Sequence, residues 1–513
     1  MLHGFSIIGG TPTTPAGRTF TAVNPATGDV LAPTYHEASV DDIHRAGELA
    51  AAAFRVYGRS SGAQRAMLLR TIATEIEALG DTLLDRYVAE SGLPRGRAET
   101  ERRRTCDQLR LFATVAEDDR WVEARIDTAD PSRTPVPKPD TRFMLRPIGP
   151  VAVFGPANFP LAFTVAGGDT AAALAAGCPV IVKAHPSHPG TSELVASAIV
   201  RAVQACELPT GVFAMIHGGV EQGTALVQLS AIRAVGFTGS RGAGEALLRL
   251  CQQRPTPIPF FGELSGINPL CILPNAMATN AEALARGLHA SVTLGCGQFC
   301  TKPGLVLYVD GAPGAATFRN TLVELMRGTA SMPMLNAPMR AHYGAAADRL
   351  AATPAVTTLV RVSDDVGRGR ASANAGLFAC HAETVRSVAV VREEIFGPAC
   401  VLVACRDIGD MIATIESLDG QLTATLHASD DDLVDADALL WALEQCAGRL
   451  VFNGYPTGVE VCDSMMHGGP WPATTDSRFT SVGTASILRF ARPVCYQNAP
   501  ARVLPTALTG AAS

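Results

Sequence analysis

Residues 234–250 read "AVGFTGSRGAGEALLRL". A short β-branched run ends in a glycine-rich turn, and a helix-forming run follows. Ser240 stands at the N-cap position, and Gly239 and Gly244 bracket "SRGA". A helix start with so little side-chain bulk can take phosphate oxygens on its backbone N–H groups, with help from the helix dipole. The spacing is not G-x-G-x-x-G, and glycines here also suit plain tight packing of strand on helix. Either way, one strand–turn–helix unit asks for others like it.

They are present. "VAVFGP", "PVIVKA", "VFAMIHG", "IRAVGFTG" and "PLCILP" are short strand-like runs between residues 150 and 275. Alanine-rich helical stretches such as "GDTAAALAAG" and "TSELVASAIVRAVQACEL" separate them. This alternation predicts parallel βαβ units covered by helices, an α/β fold. Residues 276–480 alternate again and predict a second α/β domain. The first 115 residues read as mainly helical. Leu69, Ile72, Ile76, Leu79 and Leu83 follow a 3-4-3-4 spacing and mark one apolar helix face. Residues 131–150 hold six prolines and cannot be helical; they read as an extended arm or linker. "ASILRFARPVCYQ" reads as a late strand.

The bulk numbers exclude several classes. The chain has 513 residues, too many for one core, so two or three domains are expected. It is 47% hydrophobic with a net charge of −6 and no long run of one sign, which argues against nucleic-acid or polybasic membrane partners. The longest apolar stretch, 171–182, is too short and too broken to span a bilayer. "MLHGFSIIGG" has no signal-peptide pattern. Thirteen scattered cysteines are no disulfide framework and predict reduced thiols in a cytoplasmic protein.

Several residues could do chemistry. Lys183 ends a strand in "VIVKAHPSHPG", where parallel sheets bind ligands, though a surface lysine reads the same way. Asn158 in "FGPANFP" lies in a rigid loop; it could donate to an oxyanion or cap a turn. Glu263 in "FGELSG" ends a strand and could be a general base. Glu394 in "REEIFGP" could hold ribose hydroxyls. Surface glutamate is the alternative for both. In "GCGQFCTKPG" (295–304), the pattern lacks the further ligands of a metal clip, so no metal is expected. A thiol in a glycine-rich loop remains, and it becomes a strong nucleophile once its pKa is lowered.

"PANFP", the strand-end lysine, "FTGSRGAG", "ELSG", "GQFC" and "EEIFGP" follow one another in a single order. This order resembles the aldehyde dehydrogenase superfamily over essentially the whole chain. The resemblance implies Cys300 as nucleophile, Glu263 as general base and Asn158 as oxyanion donor. Here Ser265 replaces a glycine of the family's "ELGG". It also implies Lys183 and Glu394 at the cofactor riboses, with Ser187 beside Lys183. Gly239, Ser240 and Gly244 would lie near the pyrophosphate, and Phe396 beside the nicotinamide.

The resemblance further implies a Rossmann-type dinucleotide-binding domain (1–130 and 149–265) and an α/β catalytic domain (266–484). A small β oligomerisation element (131–148 and 485–513) would build a homodimer or homotetramer. "KAHPSHPGTSE", "GQFCTKPGL" and "HGGPWPATTDSRFTSVGT" look like the bacterial α-ketoglutarate semialdehyde (2,5-dioxovalerate) dehydrogenases, whose relatives include NADP-preferring fatty-aldehyde dehydrogenases. The implied cofactor is NADP or NAD. NAD-preferring relatives often carry a glutamate three residues after the strand-end lysine; Pro186 stands there instead. An acidic aldehyde needs a cation, for which the helical stretch "ERRRTCDQLRLFA" offers Arg103 and Arg110, seven apart on one face. Other readings are a long aliphatic aldehyde as substrate, a silent scaffold, or a thiol redox sensor using Cys296 and Cys300.

Overall fold

The computed structural model describes residues 2–361 and 371–509. Residues 1, 362–370 and 510–513, which fall within the expected domain ranges, lie outside the described residues. Five parallel strands form the heart of the first sheet, in the order Phe260–Glu263, Ala234–Thr238, Val151–Phe154, Val180–Lys183, Phe213–Ile216. Strand order reverses at Val151–Phe154, which makes a crevice at the carboxyl ends of the strands there. The strands are short and almost wholly buried because helices cover both faces. Every residue of the helix Gly168–Ala176 is buried, and its alanines let it lie close on the sheet.

Two antiparallel strands, Ile7–Ile8 and Thr11–Pro12, extend this sheet, and Thr19–Val23 pairs with Val30–His36. Residues 2–36 are therefore not helical, contrary to the sequence reading. Helices begin at Val40. Ile7–Ile8 and Thr11–Pro12, two residues each, are too short to show a period. The apolar face read through residues 69–83 is real but spans two helices. Leu69, Ile72, Ile76 and Leu83 are all fully buried, while the first helix ends at Glu77 and the next starts at Gly80. Gly80 has φ +54°, a conformation that breaks helical continuity without breaking the buried face.

A second seven-stranded sheet runs in the order Thr357–Arg361, Gly376–His381, Ala399–Cys405, Leu305–Val309, Leu270–Ile272, Gln421–His427, Ala447–Phe452. All but the first of these strands are parallel. The fold is thus α/β with two Rossmann-like sheets. Thr141–Pro147 pairs antiparallel with Ala491–Gln497 and with Arg125–Asp127 in a separate three-stranded sheet. The late strand is shorter than its sequence suggested, because Thr484–Phe490 coils into a 3-10 helix first. No described helix is long and apolar enough to cross a membrane.

Candidate active site

Four strand ends of the first sheet converge on the crevice. Asn158 follows Phe154, Lys183 ends its strand, Gly239 and Ser240 follow Thr238, and Glu263 ends the last strand. The Asn158 loop is pinned from outside the sheet. Both Leu161 and Ala162 donate their backbone N–H to Glu101 Oε1, at 2.8 and 3.0 Å, and Tyr87 donates its hydroxyl to Glu101 Oε2. Arg97 donates to the Asn158 carbonyl at 3.0 Å and lies over the rings of both Phe159 and Phe299. Buried Asn158 in turn donates its side-chain N–H to the Gln298 carbonyl at 2.9 Å.

That carbonyl belongs to the Cys300 loop, which precedes the strand Leu305–Val309 of the second sheet. Three contacts set its shape. Asn268 donates to the carbonyls of Cys300 (2.8 Å) and Lys302 (3.1 Å). Gln298 bonds Gly295 and accepts from Leu335. Gly297, at φ +65°, packs against the Gly397 carbonyl so closely that any Cβ would collide. This last contact places the loop of Glu394 and Phe396 beside that of Cys300.

The thiol meets two groups at once. Cys300 Sγ is 3.6 Å from His467 Nε2, and the same nitrogen is 3.0 Å from Glu263 Oε1. Ser481 donates to Glu263 Oε2 at 2.6 Å and to the His467 carbonyl at 3.0 Å. Ligating atoms of Cys300, Glu263 and His467 all lie within 4.8 Å of one another. Burial alone would raise the Glu263 carboxyl. The attraction of His467 and hydrogen bonds from His467, Ser481 and Cys300 outweigh it and bring the carboxyl down to about 2. The Cys300 thiol goes the other way. Burial pushes it well above its usual value, the carboxylates of Glu263 and Glu394 push further, and Arg449 opposes them. The resting pair is therefore a carboxylate beside a protonated thiol.

Groups that suit an anionic ligand lie along the rest of the crevice. The helix Arg241–Gln253 starts at Ser240, which makes no side-chain capping bond, and its first turn has no acidic residue. Those backbone N–H groups suit an anion. Gly244 lies so close to Leu264 that a Cβ would collide, and a Cβ at Gly242 would meet nothing. Burial lowers Lys183 to about 8, with Glu37 pulling it back up. Ser187 accepts a hydrogen bond from Asn336 at 2.9 Å. Burial raises the half-buried Glu394 carboxyl, while Lys302 opposes it. An anionic dinucleotide fits this set: a cation, two half-buried polar side chains and an uncapped helix start.

The structure does not bring the two expected substrate arginines to this crevice. Arg110 pairs with Glu77 at 2.6 Å and with Asp107 at 3.6 Å on the outer face, and Arg103 is exposed. The helix Arg95–Asp118 turns Arg97 and Arg104 toward the site instead. A spacing of seven fixes a shared face, but not which face is inward. His467, Ser481 and Arg449 also went unassigned in the sequence. His467 and Ser481 lie within "HGGPWPATTDSRFTSVGT", a stretch with no strand or helix period to place it. All thirteen cysteines are free; Cys296 is buried and donates to the Met332 carbonyl at 3.6 Å.

The family model described as "Aldehyde dehydrogenase family" matches residues 13–470. Two curated relatives are similar over most of the chain. The "Alpha-ketoglutaric semialdehyde dehydrogenase 2" of Azospirillum brasilense is 47% identical over 99% of this chain and 96% of its own. The "Alpha-ketoglutaric semialdehyde dehydrogenase" of Acinetobacter baylyi is 44% identical over 92% of this chain and 90% of its own. Among solved structures, the gamma-glutamyl-gamma-aminobutyraldehyde dehydrogenase of Burkholderia cenocepacia superposes with a TM-score of 0.83. It is 22% identical and covers 96% of each chain, so that likeness speaks for the fold. With a matching family model over most of its length and a thiol, carboxylate and amide gathered at one crevice, the chain belongs to the aldehyde dehydrogenase family and is an oxidoreductase.

Proposed function

We propose that this enzyme oxidises 2,5-dioxopentanoate to 2-oxoglutarate. The observation that carries the chemistry is the contact of Cys300 with both Glu263 and His467, one loop away from Asn158. The substrate follows from the two similar relatives, both named for that semialdehyde. The cofactor is a nicotinamide dinucleotide, and both NAD and NADP are accepted. Lys183, Ser187 and Glu394 hold its riboses, the helix start at Gly239–Ser240 and Gly244 meets its pyrophosphate, and Phe396 lies beside the nicotinamide. When bound, it supplies the hydride acceptor.

This chain's own residues do the rest. The Cys300 thiol gives up its proton to solvent before attack, and His467 Nε2–H stabilises both the Glu263 carboxylate and the developing thiolate. The sulfur attacks the aldehyde carbon. One N–H of the Asn158 amide is used on Gln298, and the other, with the Cys300 backbone N–H, holds the new oxyanion. Loss of hydride leaves a thioester on Cys300. Glu263 then takes a proton from water, the water attacks, and the carboxylic acid leaves.

The carboxylate acts after hydride transfer, so its step can be separated in time from the first. Glu263→Gln is expected to give a burst of reduced cofactor and then a steady rate lower by about 10²–10³-fold, the range for loss of a positioned acid–base or oxyanion group. A variant with no burst and no acyl-enzyme by mass spectrometry would overturn a purely hydrolytic role and mean that Glu263 is needed earlier, to activate the thiol or to hold the site together. We assign subunit assembly, as dimer or tetramer, to the three-stranded sheet at 141–147 and 491–497; a monomer-sized particle in light scattering would overturn this.

A further inference from the structure

Arg97 and Arg104 lie seven residues apart on one face of the helix Arg95–Asp118. Arg97 is fully engaged by Glu101, the Asn158 carbonyl and two phenylalanine rings. Arg104 is not. Its Nε and Nη2 are sealed from solvent and have no hydrogen-bond partner. These two nitrogens share one edge of the guanidinium and present two parallel N–H bonds, the shape that takes a carboxylate bidentately. A buried charged donor pair without an acceptor is costly, so the arrangement calls for an anion.

The surroundings say which anion. Arg104 lies over the Phe163 ring, 5.3 Å from its centroid. Phe163 touches Phe159 (5.1 Å), which touches Phe299 (5.4 Å), the residue before the nucleophile. Val459, Val461 and Met465 pack on the same apolar cluster. Burial lowers the Arg104 guanidinium, and the charges of Glu101, Cys300 and Glu460 act against that. A chain of apolar contacts thus runs from the residue before the thiol to a guanidinium whose Nε and Nη2 have no hydrogen-bond partner. We infer that Arg104 binds the distal carboxylate of the substrate and sets the preference for acidic over neutral aldehydes. The inference rests on the semialdehyde reading above and names the residue that enforces it.

The test compares kcat/KM for 2,5-dioxopentanoate and for pentanal in the wild type, Arg104→Met and Arg110→Ala. The acid-to-neutral ratio is expected to fall by about 10²-fold in Arg104→Met, mainly through KM for the acid, as befits a lost charge-assisted bidentate pair. Arg110→Ala, on the outer face, should leave the ratio where it was. If Arg104→Met does not fold, Arg104→Gln, which keeps polarity without charge, takes its place in the same comparison. A wild type that favours the acid and a variant that favours it equally would overturn the role of Arg104 and leave the substrate standing. A wild type that favours pentanal would overturn the substrate first, and the anchor with it.

Discussion

The two seven-stranded sheets contribute to the crevice in opposite ways. The first offers the carboxyl ends of its strands: Lys183, Glu263 and the turn after Thr238 sit on or directly after buried strands. The second offers loops that lead into its strands: Cys300 precedes Leu305–Val309, and Glu394 and Phe396 precede Ala399–Cys405. A strand end is aimed by the sheet it ends. A loop has to be aimed by contacts, and here these are Asn268, Gln298 and the touch of Gly297 on Gly397. The cluster that joins the sheets, Cys300–His467–Glu263, takes one member from a strand end, one from a loop into a strand and one from a long loop without period.

Replacing the loop thiol tests the division most severely. Cys300→Ala should abolish dehydrogenase turnover, because no other group can carry the acyl chain. Cys296→Ala should retain most of it. Cys296 is buried against the Met332 carbonyl, four residues away along the same loop. Activity that survives Cys300→Ala but not Cys296→Ala would mean that the loop is aimed differently from what its contacts imply.

A smaller effect is expected at His467, and it is a shift along the pH axis. Glu263 must be ionised to act as a base, and its carboxyl stands near 2 because His467 and Ser481 offset its burial. In His467→Leu the attraction is gone and burial dominates, so the carboxyl pKa rises. The acid limb of the kcat profile should therefore move up by about one to two pH units, the worth of one hydrogen bond to a charged group. At pH values well above the shifted carboxyl the base is ionised in both proteins, and the difference from this source disappears. An unmoved acid limb would remove His467 from the control of Glu263.

Legibility followed the same division. Lys183, Glu263 and the 234–250 unit could be found because a buried strand, a period and a chemical residue occur within a few positions of each other. A thiol in a glycine-rich loop was legible, but the choice of Cys300 came from the resemblance of "GQFC" to the family pattern, and its orientation is set by Asn268, thirty-two residues away. His467 could not be placed. It meets Glu263 across 204 residues, and nothing local marks it as inward. The helix arginines show the same limit in miniature. Spacing put Arg103 and Arg110 on a common face, but the choice of inward face is made by Glu101, Phe159 and Phe163, which come from packing. Ile7–Ile8 and Thr11–Pro12 escaped notice because two residues are no pattern at all.

The smallest predicted effect concerns the nucleotide end. Pro186 removes the carboxylate that would repel a 2′-phosphate, and from the sequence alone nothing opposes NADP. The structure brings in a carboxylate from elsewhere. Glu37 lies just ahead of the helix Val40–Tyr57, and its Oε1 is 3.5 Å from the point where a methyl group on Gly219 would stand. Its charge acts on Lys183, the strand-end cation. Glu37 thus faces the crevice from a segment nearly 150 residues away from Pro186, where no sequence window could show it. A carboxylate there accepts ribose hydroxyls but repels a phosphate. In Glu37→Gln that repulsion is lost and Lys183 is left to pair with the phosphate. The ratio of kcat/KM for NADP over NAD should rise by about tenfold, roughly 1.4 kcal/mol, with most of the change in KM for NADP. If the ratio stays constant in the variant, Glu37 is no part of the ribose site, and the preference between cofactors has to come from Lys183 and Ser187 alone.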